Sequence, residues 1–357
     1  MKAVILAGGI GARLWPMSRL SRPKQFYEMV GEEPLIRDTY RRLLRWIPAE
    51  KIYFSINPAF YDLIKEVFPA VADDHIFVEP AKRDTGPAMG LVAARLEMLD
   101  PDEPIVFVPS DHYIQDEELF LRCLSVGERL IKQTGKLLDI GIKPEFPSTA
   151  LGYIKIGSKV DELDGVAAFE FVEHKEKPNY DLAKYYLEDG AHLWHANYYM
   201  WTPGKFMQAF EQYEPRMGKI LRAIQEAWRV GDRAEITRLY DLLPKNSIDY
   251  LITEKMQPGE MLVLRGDFGW SDIGAWDTLY DRLSGDEENL TKGRCVTIDT
   301  RKSLIYGSAD KLIAVVGMDD VVVVDTKDAL LVCKRQQAQR VKDIVKRLKE
   351  EGHELYL

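Results

Sequence analysis

Cysteine is scarce: Cys123, Cys295 and Cys333 are the three in 357 residues, far apart and with no C-x-x-C pair. That usage suits reduced thiols in a cytoplasmic protein better than a disulfide frame or a zinc site. The six histidines lack metal-ligand spacing, and His192 and His195 read as packing or surface residues. No apolar run approaches the ~20 residues of a membrane helix, and the first residues have no leader-peptide layout. Basic charge is in deficit: 48 Lys and Arg against 57 Asp and Glu give a net charge of −9. That balance speaks against a nucleic-acid or anionic-membrane partner. It leaves a nucleotide substrate open, because local cations can bind phosphate on an acidic protein. Low-complexity segments and strict repeats are also missing.

What is present is a chain with 46% hydrophobic and 29% charged residues, suited to a sizeable core. Its length allows two domains of about 100–200 residues each. The first 26 residues organise the rest. Lys2 to Leu6 is a short apolar run with β-branched residues and reads as a buried strand. Leu6 and Ala7 lead into Gly8, Gly9 and Gly11, whose backbone can turn sharply and approach a ligand. Such a turn exposes N–H groups that cradle phosphate. Arg13 and Lys24 add a planar fork and a point charge. The dinucleotide fingerprint fails, because Leu14 stands where its third glycine belongs, and no P-loop pattern occurs here.

Strand and helix signals then alternate. Helices are expected over 34–46, 61–68, 85–98 and 119–133, and strands over 51–56, 76–78 and 105–108. This alternation predicts an α/β fold with a mostly parallel sheet and helices on both faces. Ligands bind beyond the carboxyl ends of such strands. The Gly-rich turn and Pro109–His112 both lie at such ends. From residue 136 strands and turns dominate, with further helices at 180–188, 205–213 and 219–230. The polar, turn-forming stretch 284–293 predicts a boundary between domains 1–285 and 286–357. Residues 294–333 are rich in Val, Ile and Leu at strand spacing, and 336–351 has helical spacing.

Asp111 follows a buried strand; a carboxylate there suits a hydrated Mg²⁺ that also binds phosphates, or caps the next helix with Ser110. Asp272 sits in a Gly- and Trp-dense segment, Gly266–Trp276, with the same two readings. Two such aspartates converging on one Mg²⁺ make a phosphate–metal site. Lys177, between Glu176 and Pro178, is biased towards an extended backbone; on its own it reads as half of a solvated pair. Glu79 to Ala88 reads as a loop entering a helix capped by Thr85.

The run Gly8-Gly9-x-Gly11-x-Arg13-Leu14-Trp15-Pro16-x-Ser18-Arg19, followed by Pro23-Lys24-Gln25-Phe26, resembles the signature of the sugar-nucleotide pyrophosphorylases. Its Leu-Trp-Pro and Pro-Lys-Gln-Phe forms resemble the mannose-1-phosphate guanylyltransferases. Val108–His112 and Phe268–Trp276 resemble the turns of the two metal aspartates, and Glu176-Lys177-Pro178 resembles the sugar-phosphate lysine motif. Arg83 to Ala88, with Arg83 and Thr85, resembles the loop lining the base and ribose pocket. Gly152-Tyr153-Ile154 resembles the sugar-side glycine turn. The family form Trp-Asn-Ser-Gly is replaced by Trp194-His195-Ala196-Asn197, with Asn197 expected at the sugar. The family form Phe-Val-Glu-Lys-Pro is replaced by His174-Lys175-Glu176-Lys177-Pro178. Ala150-Leu151-Gly152 departs from Gly-aromatic-Gly.

The resemblance implies a nucleotide-diphospho-sugar transferase fold with a small C-terminal left-handed β-helix ending in a helix. It also implies a cytoplasmic homodimer without the fused isomerase domain of longer members. The implied reaction joins GTP and mannose 1-phosphate to give GDP-mannose and pyrophosphate, with Mg²⁺ on Asp111 and Asp272. The implied catalytic set is Arg13, Lys24, Asp111, Lys177 and Asp272. Nucleotide contacts come from Leu6, Ala7, Gly8, Gly9, Gly11, Arg83 and Thr85, and sugar-phosphate contacts from Gly152, Glu176, Lys177 and Asn197. Three other readings stay open: a pyrophosphorylase for glucose 1-phosphate with UTP or dTTP, a non-catalytic nucleotide-sugar sensor, and an oxidoreductase, which the missing third glycine opposes.

Overall fold

The computed structural model describes residues 1–285 and 289–357. Part of the predicted boundary stretch, residues 286–288, lies outside the described residues. A ten-stranded sheet forms the centre. In one half Ile105–Pro109, Lys2–Ala7, Ile52–Ile56 and Ile76–Val78 run side by side in parallel. Ala3, Val4 and Ile5 have no exposed surface, because this half is covered on both faces. Hence these strands are continuous apolar runs rather than alternating ones. Leu35–Leu44, Tyr61–Val67 and Thr85–Glu97 are the intervening helices. Thr85–Glu97 buries Met89, Gly90 and Ala93 as well as Ala88, Leu91, Val92 and Leu96, so it runs through the core.

The other half mixes directions. Met200–Trp201 lies antiparallel to both Ile105–Pro109 and Leu137–Ile142. The four residues 198–201 are all buried, though only the last two form the strand. Met261–Arg265 pairs in parallel with Leu137–Ile142, and Gly152–Leu163 forms a hairpin with Val166–Lys175. Asp164 and Gly165 turn that hairpin with φ of 52° and 77°. Two successive positive-φ residues match the twist of paired strands, which is why Asp-Gly serves there. The short helix Arg233–Tyr240 and the strands His192–His195 and Met261–Arg265 have no counterpart in the sequence reading.

The C-terminal strands coil. Asn289–Lys292, Ser303–Tyr306 and Val321–Asp325 stack in parallel on one side, and Arg294–Ile298 pairs in parallel with Leu312–Val316 on another. Val321–Val324 is buried, as its unbroken apolar run predicts. A second apolar cluster joins this coil to the start of the chain: Leu14, Trp15 and Met29 pack with Trp276, Tyr306 and Val322.

Candidate active site

The parallel half of the sheet aligns two sequence-distant turns. Leu6 is in register with Pro109, so the Gly-rich turn and Ser110–His112 leave neighbouring strands together. Beyond them opens a cleft of about 550 Å³ whose lining includes Gly8, Gly9, Asp111, Glu176, Lys177 and Asn197.

At one end of this region three segments meet at Lys24. Its Nζ lies 2.8 Å from Asp111 Oδ2 and donates to the carbonyls of Asp272 (3.0 Å) and Ile273 (3.2 Å). Arg13 Nη2 stands 3.9 Å from Asp272 Oδ2, and its Nη1 donates to Gln339 Oε1 at 2.8 Å. Gly11 has φ of 75°, and a Cβ there would stand 2.9 Å from the Lys24 side chain. A β-branched residue rarely adopts positive φ, yet Ile273 has φ of 42°, which aims its carbonyl at Lys24. The two aspartate turns are brought together by pairing of Tyr113–Ile114 with Trp270–Ser271. The Trp270 indole N–H donates to His112 Nδ1 at 3.1 Å, which keeps that nitrogen unprotonated. Burial pushes the His112 imidazole down to about 4, so it is neutral.

The capping alternatives fail for both aspartates. The helix Glu117–Thr134 is capped by Asp116, which accepts from Leu119 N at 2.9 Å. The helix Trp276–Leu283 begins at Ala275, whose N–H donates to Thr278 Oγ1. Burial opposes the Asp111 charge, but the Lys24 ammonium outweighs it and holds the carboxyl below the usual range. The Asp111 carboxylate and the Asp272 backbone carbonyl meet at one ammonium, with the Asp272 carboxylate turned towards Arg13, and two such oxygen-donor side chains on neighbouring turns suit a hard divalent cation.

The other end differs. Lys177 has φ of 46° rather than the extended backbone expected before proline. This left-handed turn brings its ammonium onto Glu176 Oε1. Lys175 instead pairs outward with Glu254 at 3.3 Å. Asn197, also left-handed with φ of 60°, places Oδ1 3.1 Å from His195 Nε2. His195 is not an isolated packing residue. Its Nδ1 meets Asp139 Oδ2 and its Nε2 lies 3.2 Å from Asp249 Oδ1. Burial alone would discharge His195, but these carboxylates hold its proton well above the usual range. Burial pushes neighbouring His174 down to about 3. Burial and then Asp249 raise the Glu176 carboxyl. Gly152 lies under Glu176, where a Cβ would stand 2.4 Å from Oε2.

Thr85 lines the cleft but does not cap the helix it begins. Asp84 caps the helix, and Thr85 Oγ1 accepts from Ile248 N at 3.1 Å. Arg83 turns away: its guanidinium donates to the Leu243 carbonyl (2.9 Å) and to Asp241 (3.1 Å). The cations lining that side are Lys82 and Lys245. Sequence reasoning passed over Glu79, which is buried at the cleft with Oε1 3.6 Å from where a Gly8 Cβ would be. Burial raises its carboxyl to about 7, against a hydrogen bond from Tyr240. A Glu-Pro pair in a loop carries no local signal of this burial.

The model of the nucleotidyl transferase family matches residues 2–289, and that of the MannoseP isomerase/GMP-like β-helix domain matches residues 293–348. The chain belongs to the nucleotidyl transferase family. More particularly, it is 35% identical over 357 residues to the xanthan biosynthesis protein XanB of Xanthomonas campestris pv. campestris, covering 98% of this chain and 73% of that one. It is 32% identical over 365 residues to the mannose-1-phosphate guanylyltransferase ManC of Salmonella typhimurium, covering 99% and 73%. A crystal structure of mannose-1-phosphate geranyltransferase from Thermus thermophilus superposes with a TM-score of 0.85 at 29% identity, covering 98% of this chain and 99% of that one.

Proposed function

We propose that this chain transfers GMP from GTP to α-D-mannose 1-phosphate, yielding GDP-mannose and pyrophosphate. The observation that carries this reading is the meeting of Lys24, Asp111 and the Asp272 turn beside a cleft whose far side holds Lys177 and Glu176. Cationic and metal-binding groups gather where a triphosphate would lie, and a second cation lies where another phosphate would enter. The likeness to mannose-1-phosphate guanylyltransferases supports the choice of substrates.

A phosphate oxygen of the sugar phosphate forms a bond to the α-phosphorus of GTP. The bond from that phosphorus to the bridging oxygen breaks, and pyrophosphate leaves with the electron pair. The nucleophile is already ionised at neutral pH, so no base is required. The difficulty is bringing two anions together, and the chain's work is positioning and charge compensation. Backbone N–H groups of Gly8, Gly9 and Gly11 cradle the phosphates. Arg13 and Lys24 hold the leaving pyrophosphate. Lys177 positions the attacking phosphate, and Glu176 and Asn197 bond the sugar hydroxyls. Glu79 offers a carboxylate to the N1–H and exocyclic amine of guanine, an edge that adenine does not present. Asp111 and Asp272 would hold Mg²⁺, which when bound neutralises phosphate charge.

A homodimer is part of this reading. Val296, Ile298, Leu312, Val316, Leu330 and Val332 leave an apolar face on the C-terminal coil about half exposed. Among the described residues no helix is long and apolar enough to cross a membrane. The sparse, unpaired cysteines support a cytoplasmic enzyme.

Pyrophosphate release tests the proposal, with GTP, UTP and dTTP each paired with mannose 1-phosphate and glucose 1-phosphate. Release confined to GTP with mannose 1-phosphate is expected. Release with a different pair would reassign the substrates, and none with any pair would overturn the catalytic reading.

A further inference from the structure

A separate constellation lies behind the sugar end of the cleft, in three groups the proposed transfer does not use and one, Glu176, that it shares. His174 comes from the strand Val166–Lys175, His195 from the strand His192–His195, and Asp249 from the helix Ile248–Leu251. All three are buried, and one ligand atom from each lies within 4.8 Å of the others. His195 Nε2 stands 3.2 Å from Asp249 Oδ1, and His174 Nε2 stands 4.0 Å from that oxygen and 3.9 Å from Glu176 Oε2. Four donors around a tetrahedral Zn²⁺, each at about 2.0–2.1 Å, are separated by roughly 3.3 Å, so modest closure would complete such a site.

Two further features point to a cation. Each donor is backed by a second group, as metal ligands are. His195 Nδ1 meets Asp139, His174 Nδ1 lies 2.7 Å from Thr253 Oγ1, and Asp249 Oδ1 accepts from the Tyr199 hydroxyl at 2.7 Å. His174 Nε2 is buried, faces this space and has no hydrogen-bond partner among the described residues, a costly state for a ring nitrogen. Gly152 keeps the space open, since a Cβ there would stand 2.8 Å from His174 Nε2.

We propose that His174, His195 and Asp249 bind a transition-metal dication, Zn²⁺ by their ligand chemistry, with Glu176 as the fourth donor. Two imidazoles and two carboxylates select such an ion over Mg²⁺, so this site is distinct from Asp111 and Asp272. His195 Nε2 also lies 3.1 Å from Asn197 Oδ1, so the same ring nitrogen that would ligate the ion touches a residue at the sugar end of the cleft.

The test uses the full chain, stripped with a chelator and titrated with Co²⁺, with bound metal read from visible absorption and Zn²⁺ from elemental analysis after gel filtration. One equivalent per chain is expected, with the intense visible bands of a tetrahedral site, displaced by Zn²⁺ and retained in Asp111→Asn. His174→Gln should abolish the bands while leaving the circular dichroism unchanged; His195→Gln supplies a second variant should the first fail to fold. Absence of a bound equivalent, or unchanged binding in a folded His174→Gln, would overturn the proposal. The readout is metal content, so it stands apart from whichever substrates the enzyme proves to use.

Discussion

Lys24 bridges three segments, and its charge is the hardest to replace. Lys24→Ala and Asp111→Ala should each lower kcat by roughly 10²- to 10⁴-fold, the range for removing a group that acts on the transition state. Turnover near wild type in either would remove that residue from the mechanism. Lys177→Ala should raise KM for the sugar phosphate well above any change in KM for GTP, and equal changes would refute its assignment. Glu79 carries a pH signature. Its carboxyl rises from 4.5 to about 7 on burial, so the folded state favours the proton. Its contribution to stability is full below the unfolded value and is lost as pH rises towards 7, by roughly 3 kcal/mol. Glu79→Gln should therefore raise the melting temperature relative to wild type at pH 8 and leave it unchanged at pH 4. Lys24, Asp111 and Lys177 could be singled out as candidates from the sequence because each sits in a motif that can be read locally. Glu79, His174 and His195 could not, because burial by distant elements gives a polar residue its character.

At the scale of elements, the Gly-rich turn shows how local rules become geometry. Gly11 combines positive φ with a close approach to Lys24, so neither demand tolerates a side chain. Gly11→Ala should cost about 1–2 kcal/mol in backbone strain and displace Lys24, with kcat falling further than stability does. Stability and kcat unaltered by the substitution would show that the turn tolerates a Cβ. Runs such as Lys2–Ala7 and Val321–Asp325 were legible from their unbroken apolar character. The strands Met200–Trp201 and Trp270–Ser271 are too short for any periodicity, yet the second pairs with Tyr113–Ile114 to unite the aspartate turns.

For the whole molecule, the apolar cluster shared by Leu14, Trp15, Tyr306 and Val322 ties the signature segment to the C-terminal coil. Polar ties reinforce it: Trp15 Nε1 donates to the Tyr356 carbonyl at 2.7 Å, and Arg19 pairs with Asp328 at 2.8 Å. Calorimetry should therefore show one cooperative transition. Val322→Ala, at a fully buried site, should shift all of it downward by about 1–3 kcal/mol. An early separate transition of the coil would contradict this coupling. The exposed apolar face belongs to the same scale: Val316→Lys should convert a dimer to a monomer in light scattering, and an unchanged mass would place the interface elsewhere.

The sequence by itself determined the α/β alternation, the buried strands and the signature motifs, because apolar periodicity, glycine's freedom at positive φ and fixed spacing act within a few residues of each position. Tertiary structure alone decided which half of the sheet runs parallel and that Arg83 turns away while Glu79 turns in. It also decided that His174, His195 and Asp249 share one buried space. Those outcomes depend on desolvation and on neighbours dozens of residues away, and neither leaves a mark in the local pattern.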